Sequence, residues 1–305
     1  MIISDRTKGF TLGAIAAASY GMNPLFTLPL YSRGMGADSV LFYRYSLAVI
    51  MLAIMMKMQK QSFAITRKEF FQLIVMGLLF SFSSLFLFLS YNYMDAGIAS
   101  TILFVYPVLV AIIMATFFKE RVSFVTWLSI AMAFTGISML CHGPNGNYLS
   151  WVGVTFVILS SLSYAIYIVG VNKSSLRSMQ ITKLTFYVLL FGLSIYVVRL
   201  NFLTDLQSVP SPLMYINVLS LAFFPTVISL VTMTKAIHYI GSTPTAILGA
   251  LEPVTALFFG VTVFGEKLTP RIILGIILVL VAVTLIIAGK RLFKNCKTLL
   301  IRNRR

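Results

Sequence analysis

Residues 251–269 read LEPVTALFFGVTVFGEKLT, and residues 105–123 read VYPVLVAIIMATFFKERVS. A shift of 146 positions superposes the two stretches and matches these pairs: Pro107 with Pro253, Phe118 with Phe264 and Glu120 with Glu266. A shift of 144 positions matches earlier segments in the same way: Ser19 with Ser163, Tyr20 with Tyr164, Phe42 with Phe186 and Tyr43 with Tyr187. Because the order of the matches is kept, the sequence predicts two equivalent halves.

The composition restricts the class of protein. The chain has 305 residues, of which 59% are hydrophobic and 10% are charged, and its mean hydropathy is +0.94. Soluble domains carry about 25% charged residues, and disordered chains have few apolar side chains. Both classes are therefore excluded, and the composition is typical of a chain that lies in a lipid bilayer.

Apolar runs of membrane-spanning length follow one another along the whole chain. The predicted spans are 9–31, 38–57, 69–92, 97–118, 123–141, 150–171, 180–200, 212–239, 243–264 and 269–290. Five spans in each half is an odd number, so the second half must enter the membrane from the opposite side. We therefore predict an all-α membrane protein with ten transmembrane helices in two inverted-topology five-helix repeats. The repeats occupy residues 1–146 and 147–290, and a basic cytoplasmic tail occupies 291–305.

Basic residues set the predicted orientation. The chain has 24 Lys and Arg against 8 Asp and Glu, and its net charge is +16. Apart from Arg44 within a span, the basic residues favour the side of the N-terminus, and the opposite side holds only Arg33, Arg199, Lys267 and Arg271. By the positive-inside rule both termini are cytoplasmic, in a multi-pass protein of the inner or plasma membrane. The basic segments are expected to contact anionic lipid head groups rather than nucleic acid.

Several short motifs resemble the EamA-type branch of the drug/metabolite transporter superfamily. They are Phe42-Tyr43-Arg44-Tyr45, Tyr106-Pro107, Lys119-Glu120-Arg121-Val122, Ala236-Ile237-His238-Tyr239-Ile240, Leu251-Glu252-Pro253 and Gly265-Glu266-Lys267-Leu268-Thr269. The chain departs from the family at Tyr20, where a tryptophan is often found. The resemblance covers nearly the whole chain and implies ten spans, with export or exchange of small metabolites by alternating access.

Three charged residues within predicted spans are candidates for function, because a charge in a bilayer is costly. Glu252 either contacts a substrate ammonium and couples protons, or bonds a neighbouring helix as part of the scaffold. Lys235 either meets a substrate carboxylate or phosphate, neutralises Glu252, or extends to the cytoplasmic interface. For Arg44 we favour a structural contact.

Polar residues with helical spacing give the other candidates. Tyr20 and Asn23 in the first span are repeat mates of Tyr164 and Tyr167 in the sixth. Such stripes either line a wet cavity or form interhelical hydrogen bonds, and their symmetry favours the cavity. The predicted substrate-binding set is Tyr20, Asn23, Tyr91, Asn92, Tyr106, Tyr164, Tyr167, Lys235 and Glu252.

Acidic residues at the predicted helix ends have structural interpretations. Glu120 and Glu266 lie beside basic residues and predict an interfacial salt bridge or a helix cap. Asp95, at the start of the fourth span, predicts an N-terminal cap for that helix.

The favoured function is a secondary transporter that exports amino acids or related polar or aromatic solutes, as a monomer or weak homodimer. A proton or a counter-substrate would drive it, since the sequence has no nucleotide-binding glycine loop. The alternatives are an exchanger of phosphorylated or nucleotide-linked anions and a lipid-modifying membrane enzyme. With 2 His, 8 acids and two distant cysteines, no enzymatic cluster, metal or cofactor is expected.

Overall fold

A computed structural model of the chain describes residues 5–119, 124–140 and 149–302. Within these ranges the regular secondary structure is helical throughout. The α-helices are α1 (Asp5–Gly21), α2 (Asn23–Tyr31), α3 (Ala37–Met58), α4 (Arg67–Ser90), α5 (Ala96–Leu103), α6 (Tyr106–Phe118), α7 (Phe124–Leu140), α8 (Trp151–Lys173), α9 (Ile181–Arg199), α10 (Met214–Ala222), α11 (Ser229–Ile240), α12 (Ser242–Leu248), α13 (Leu251–Phe264) and α14 (Pro270–Arg302). A short 3₁₀ helix at Ser175–Ser178 and a π-helical turn at Phe223–Ile228 complete the set.

Seven helical segments in the described ranges are long and apolar enough to cross a membrane. They are Ala37–Met58, Arg67–Ser90, Ala96–Phe118, Trp151–Lys173, Ile181–Arg199, Met214–Ile240 and Pro270–Ile287. The other three predicted spans coincide with α1 and α2 together, with the 17-residue α7, and with α12 and α13 together. The sequence did not foresee that the first, fourth and ninth spans are each divided into two shorter helices.

Three spans are interrupted near their middle. α1 ends and α2 begins on either side of Met22, α5 gives way to α6 at Phe104–Val105, and α12 gives way to α13 at Gly249–Ala250. A proline follows each interruption in the first turn of the next helix, where its missing amide donor removes no helical hydrogen bond. These interruptions place helix ends inside the molecule, which is where a binding site can use them.

Helices from the two halves pack in matching pairs. α1 contacts α11 and α13, and α8, its counterpart in the second half, contacts α4 and α6. Likewise α3 contacts α10 as α9 contacts α4, and α5 contacts α8 as α12 contacts α1, while α3 with α9 and α7 with α14 pair counterpart with counterpart. Exchanging the two halves therefore reproduces these helix contacts.

Hydrogen bonds of the matched tyrosines show the same symmetry. The Tyr43 hydroxyl donates to the backbone carbonyl of Gln207 at 3.1 Å, and the Tyr187 hydroxyl donates to that of Phe63. Both the donors and the acceptors are 144 positions apart. Each loop is thus fixed to the start of a helix in the other half, and α3 and α9 are held together at both of their ends.

The outer surface of the molecule is apolar. Phe117 and Phe124 are 80% and 81% exposed, and Trp127 and Trp151 are also exposed. Large apolar side chains on the outside suit contact with lipid, and tryptophan favours the membrane–water interface. The polar groups that remain inside the bundle therefore require partners or a function.

Two predicted features lie partly outside the described residues. Glu120, predicted to form a salt bridge or a helix cap, belongs to a segment that the structure does not describe. In α14 the backbone stays helical from Pro270 to Arg302, through most of the predicted basic tail. Leu, Lys and Arg are good helix formers, which accounts for the continuation beyond the apolar part that ends at Ile287.

Candidate functional site

A cavity of about 110 Å³ lies between the two halves. Helices α1, α3, α4, α5 and α6 of the first half and α8, α11, α12 and α13 of the second contribute to its wall. The lining residues are Gly13, Ala16, Ala17, Tyr20, Arg44, Phe80, Ser83, Ser84, Leu87, Phe88, Leu103, Tyr106, Tyr164, Ser229, Met233, Thr245, Gly249 and Glu252. This volume is well below the roughly 300–1,000 Å³ of pockets for drug-sized ligands, so it suits a small solute.

Tyr106 and Glu252 reach the cavity from the interrupted fourth and ninth spans. Tyr106 is the first residue of α6 and Glu252 is the second residue of α13. The two positions are 146 residues apart, so they are equivalent in the repeat. Both helices thus begin at the cavity wall, and the positive end of a helix dipole favours an anion such as the Glu252 carboxylate. The repeat supplies a phenol on one side and a carboxyl group on the other.

Aromatic rings form one side of the cavity. The Tyr106 and Tyr164 rings meet edge to face with centroids 4.7 Å apart. The Phe80 ring lies 6.0 Å from that of Tyr164, and the Phe88 ring also lines the space. Aromatic pairs in this arrangement are stabilised beyond their buried area, which gives the cavity a rigid apolar face with hydroxyl groups at its edge.

Arg44 on α3 is the second charged residue of the cavity. It is 4% exposed, its guanidinium carbon lies 5.5 Å from the centre of the Phe88 ring, and its Nε donates to Thr226 Oγ1 at 3.4 Å. Thr226 belongs to the π-helical turn, a type of distortion that is common at functional sites. The structural contact that the sequence favoured is therefore present, and the same side chain also lines the cavity.

Four of the nine sequence-predicted residues meet at the cavity: Tyr20, Tyr106, Tyr164 and Glu252. The Glu252 carboxyl interacts electrostatically with the hydroxyl groups of all three tyrosines. Tyr20 also interacts with Arg44. The Tyr20 phenol therefore interacts both with Glu252 of the second half and with Arg44 of the first.

Four other predicted residues lie behind the wall or away from it. Asn23 is buried at the α1–α2 interruption, where its side-chain amide donates to the Tyr20 carbonyl at 2.8 Å. Tyr167 stacks on Tyr164 with ring centroids 5.8 Å apart, and Tyr91 packs against Phe88 at 5.6 Å. Asn92 is exposed in the turn after α4. In each predicted stripe, one residue (Tyr20 or Tyr164) thus lines the cavity, and its neighbour (Asn23 or Tyr167) packs behind the wall.

Two serines of α8 bind the first half directly. Ser160 Oγ donates to the Ser83 carbonyl at 2.7 Å, and Ser161 Oγ donates to the Leu103 carbonyl at 3.1 Å. Both serines are buried against the first half. The helix that presents Tyr164 to the cavity is therefore also held by interhelical hydrogen bonds.

Lys235 lies in a separate groove on the surface. It is exposed on α11, five positions before the helix ends at Ile240. The groove is also lined by Lys8, Thr11, Leu12, Thr234, His238 and Tyr239. A long side chain near a helix end can extend to the interface, and the exposure of Lys235 favours that interpretation.

Glu266 joins the halves at another point. Its carboxylate accepts hydrogen bonds from the backbone amides of Ala96 at 2.7 Å and Gly97 at 3.2 Å, at the start of α5. Asp95 occupies the N-cap position of α5 but its side chain makes no capping hydrogen bond. The predicted cap by Asp95 is therefore wrong, because the carboxylate of Glu266 from the second half takes up the free amides instead.

Within the described ranges, no group of three or more His, Cys, Asp and Glu residues is placed to hold a metal ion. The sulfur atoms of Cys141 and Cys296 fall outside what the structure describes. The chemistry of the cavity therefore comes from one carboxyl group, one guanidinium, phenols and serines.

Comparison with known proteins decides the family. The model of the EamA-like transporter family matches twice, at residues 7–141 and 151–288. The chain belongs to the EamA-like transporter family. An uncharacterized transporter of Archaeoglobus fulgidus is 25% identical over 284 residues, which cover 92% of this chain and 99% of the relative. The uncharacterized transporter YdfC of Bacillus subtilis is 23% identical over 75% of this chain and 74% of its own length.

A crystal structure supports the same fold. It matches with a TM-score of 0.65 at 14% sequence identity and covers 93% of this chain and 98% of its own. The protein is thus an integral multi-pass transporter of the EamA type, with one family domain in each half. The cavity lies where residues of the two EamA domains meet.

The position of Lys235 in this EamA-like transporter leads to a first prediction. Replacing Lys235 with Ala is expected to leave the half-saturation concentration for substrate within about twofold, because an exposed charge outside the cavity is screened by solvent. Initial uptake rates in proteoliposomes across a range of substrate concentrations would measure this. A rise of tenfold or more would assign Lys235 to the binding site.

Glu266 leads to a prediction on pH. Burial and the nearby Asp95 carboxyl raise the pKa of Glu266 from 4.5 to about 7, although the amides of Gly97 and Ala96 oppose the rise. The folded protein therefore binds a proton that the unfolded chain releases between about pH 4.5 and 7, so stability falls as pH rises through this window.

We expect the midpoint of thermal unfolding to decrease from pH 5 to pH 8, and Glu266→Gln to flatten that decrease. The pKa of Asp95 is also raised by burial and contributes in the same direction, so part of the slope remains in the variant. Unfolding followed by intrinsic fluorescence gives the slope. A slope that Glu266→Gln leaves unchanged would contradict the assignment.

Proposed function

We propose that this EamA-like protein is a secondary transporter that moves amino acids or related polar or aromatic solutes across the membrane by alternating access. The observation that carries the proposal is the cavity between the two halves, with Glu252 and the phenols of Tyr20, Tyr106 and Tyr164 in its wall. A buried carboxyl group can bind a substrate ammonium and can exchange a proton, so it can recognise substrate and couple its movement. Export is the direction that the family resemblance favours.

We further infer ten spans in two inverted repeats. The seven long apolar helices, the divided first and ninth spans and α7 together account for ten crossings. The paired helix contacts and the matched hydrogen bonds of Tyr43 and Tyr187 support a twofold relation between the halves. With five crossings in each half, such an axis lies in the membrane plane. The distribution of basic residues supports cytoplasmic termini.

Two matched helix contacts are candidates for the closures of the cavity. A Cβ atom on Gly9 of α1 would lie 2.8 Å from Cβ of Tyr239, and one on Gly153 of α8 would lie 2.9 Å from Cβ of Tyr93. The tyrosines are 146 positions apart and the glycines 144. Under inverted topology these contacts lie on opposite sides of the cavity, so opening one while the other stays closed gives alternating access.

The cavity favours this function over the two alternatives. An exchanger of phosphorylated compounds needs an excess of positive charge, whereas this wall carries one Arg and one Glu. A lipid-modifying enzyme would need acids, bases or a metal gathered at the membrane surface. Among the described residues, Glu252 is the single acid in the cavity wall, and no histidine lines it.

Reconstitution tests the proposal. Purified protein is first screened by thermal shift against amino acids, nucleosides and sugar phosphates, because a ligand stabilises the state it binds. Solutes that stabilise the protein are then tested for counterflow into proteoliposomes. Saturable counterflow of an amino acid or aromatic solute is expected. A sustained unitary current, or saturable exchange confined to phosphorylated compounds, would overturn it.

A further inference from the structure

Arg44 has unused hydrogen-bonding capacity beside the cavity. Its guanidinium carries five N–H donors; among the described residues, Nε donates to Thr226 Oγ1 at 3.4 Å, and the Tyr20 hydroxyl interacts with the guanidinium. Neither partner is charged. The side chain is 4% exposed and lines the cavity, so the remaining donors face a space in which bulk water is scarce. A buried charge in this position requires an anion or ordered water.

The opposite charge in the cavity belongs to the other half. Glu252 lines the same space from α13, and within the described residues no ion pair joins it to Arg44. Both charged groups interact with the Tyr20 hydroxyl, which places them near each other but not in contact. Among the described residues of the wall, the one basic and the one acidic side chain thus belong to different halves.

We propose that Arg44 and Glu252 form a two-point receptor for a zwitterion, with the substrate carboxylate on Arg44 and the substrate ammonium on Glu252. The inference rests on the proposed transport function and narrows it to solutes that carry both charges a few bonds apart. An α-amino acid has this arrangement. A solute of this kind neutralises both buried charges at once, whereas an amine or an acid leaves one of them unpaired.

The apolar part of the cavity wall indicates what kind of side chain the solute carries. The rings of Phe80, Tyr106 and Tyr164 give one face of the cavity, and Leu87 and Met233 are also apolar. An apolar or aromatic side chain would pack against this face. The volume of about 110 Å³ favours a single amino acid over a peptide.

The division of the site between the two halves couples substrate binding to closure of the cavity. Because one charge lies on α3 and the other on α13, a bound zwitterion bridges the two EamA domains. A solute that satisfies both charges would therefore favour the closed cavity more than a solute that satisfies one. Substrate binding and closure would be coupled through the same two contacts.

The test compares three probes of one shape on the purified full-length protein. L-Phenylalanine carries both charges, 2-phenylethylamine lacks the carboxylate, and N-acetyl-L-phenylalanine lacks the ammonium; the corresponding leucine series gives a smaller side chain. In each series we expect the zwitterion to bind at least about tenfold more tightly than either derivative, because each unpaired buried charge costs more than about 1.4 kcal/mol. Thermal shifts across probe concentrations give the affinities.

Variants assign each charge to its end of the solute. Arg44→Gln is expected to remove the preference for the zwitterion over the amine, and Glu252→Gln the preference for the zwitterion over the N-acetyl acid. Arg33→Gln, the same change at an exposed position, is the matched control and should keep both preferences. Circular dichroism confirms that each variant is folded, and Arg44→Lys, which keeps the charge, should retain part of the first preference.

The outcomes separate this inference from the proposed function. Saturable counterflow of solutes without any preference for zwitterions, or preferences unchanged in Arg44→Gln, would overturn the two-point receptor and leave the transport function standing. Absence of saturable counterflow for every solute would overturn the transport function itself.

Discussion

Glu252→Gln is expected to reduce substrate counterflow by about 30-fold or more and to remove any dependence of the rate on a proton gradient. The variant leaves the shape of the cavity almost unchanged and removes the one carboxyl group that the described residues contribute to its wall. Loss of a charged contact in a desolvated site costs about 2 kcal/mol or more, which corresponds to this factor. Initial rates in proteoliposomes, with and without an imposed pH difference, measure both effects.

The matched control is Glu69→Gln at the exposed start of α4. There Glu69 closes a capping box with Thr66, and Gln can take the same position. The control should insert, fold and transport as the unchanged protein does. If Glu252→Gln also keeps its rate and its response to the proton gradient, then Glu252 serves the scaffold and not the transport cycle.

The second large effect is expected at the two close helix contacts. Gly9→Val and Gly153→Val each place a branched side chain where a Cβ atom alone would lie under 3 Å from a tyrosine of the facing segment. Overpacking of this kind costs roughly 1–3 kcal/mol, which the protein can avoid by separating the two helices. Each variant should therefore hold one side of the cavity open and lower counterflow by more than about tenfold.

The two variants should be open on opposite sides. Labelling of a cysteine in the cavity should increase from the side of the N-terminus in Gly9→Val and from the other side in Gly153→Val. Gly36→Ala is the matched control, since its added Cβ would meet only Gln207 Oε1 at 3.5 Å and its φ is −77°. Increased labelling from the same side in both variants would contradict inverted topology.

Sequence patterns predicted much of the architecture because lipid imposes strong constraints on composition and length. The apolar runs predicted helices that the structure contains, and the matched prolines and tyrosines predicted the two halves that the family model finds. The repeat also contains a signal for the site itself. Tyr106 is the partner of Glu252 at a shift of 146, and this alone would have placed both residues at equivalent positions of one site.

Whether a charged residue lines the cavity or lies near an exposed helix end was harder to predict from the sequence. Lys235 and Glu252 both look intramembrane by position, yet the first is exposed near a helix end and the second lines the cavity. The difference depends on the interruption at Gly249–Ala250, which turns Glu252 into a residue of a helix start. For Arg44 the sequence favoured a structural contact, and its place in the cavity wall could not be predicted because its partner Thr226 lies 182 positions away, in a π-helical turn that no local pattern specifies.

The central claim is that one cavity between the two halves is reached in turn from both sides of the membrane. Ala17→Cys, in a chain whose Cys141 and Cys296 are replaced by Ser, places a single thiol in the wall of that cavity. A small membrane-impermeant methanethiosulfonate reagent is then applied to one side of oriented proteoliposomes at a time. Labelling is expected from each side, and substrate should slow it on both. Labelling from one side alone during active counterflow would contradict the claim.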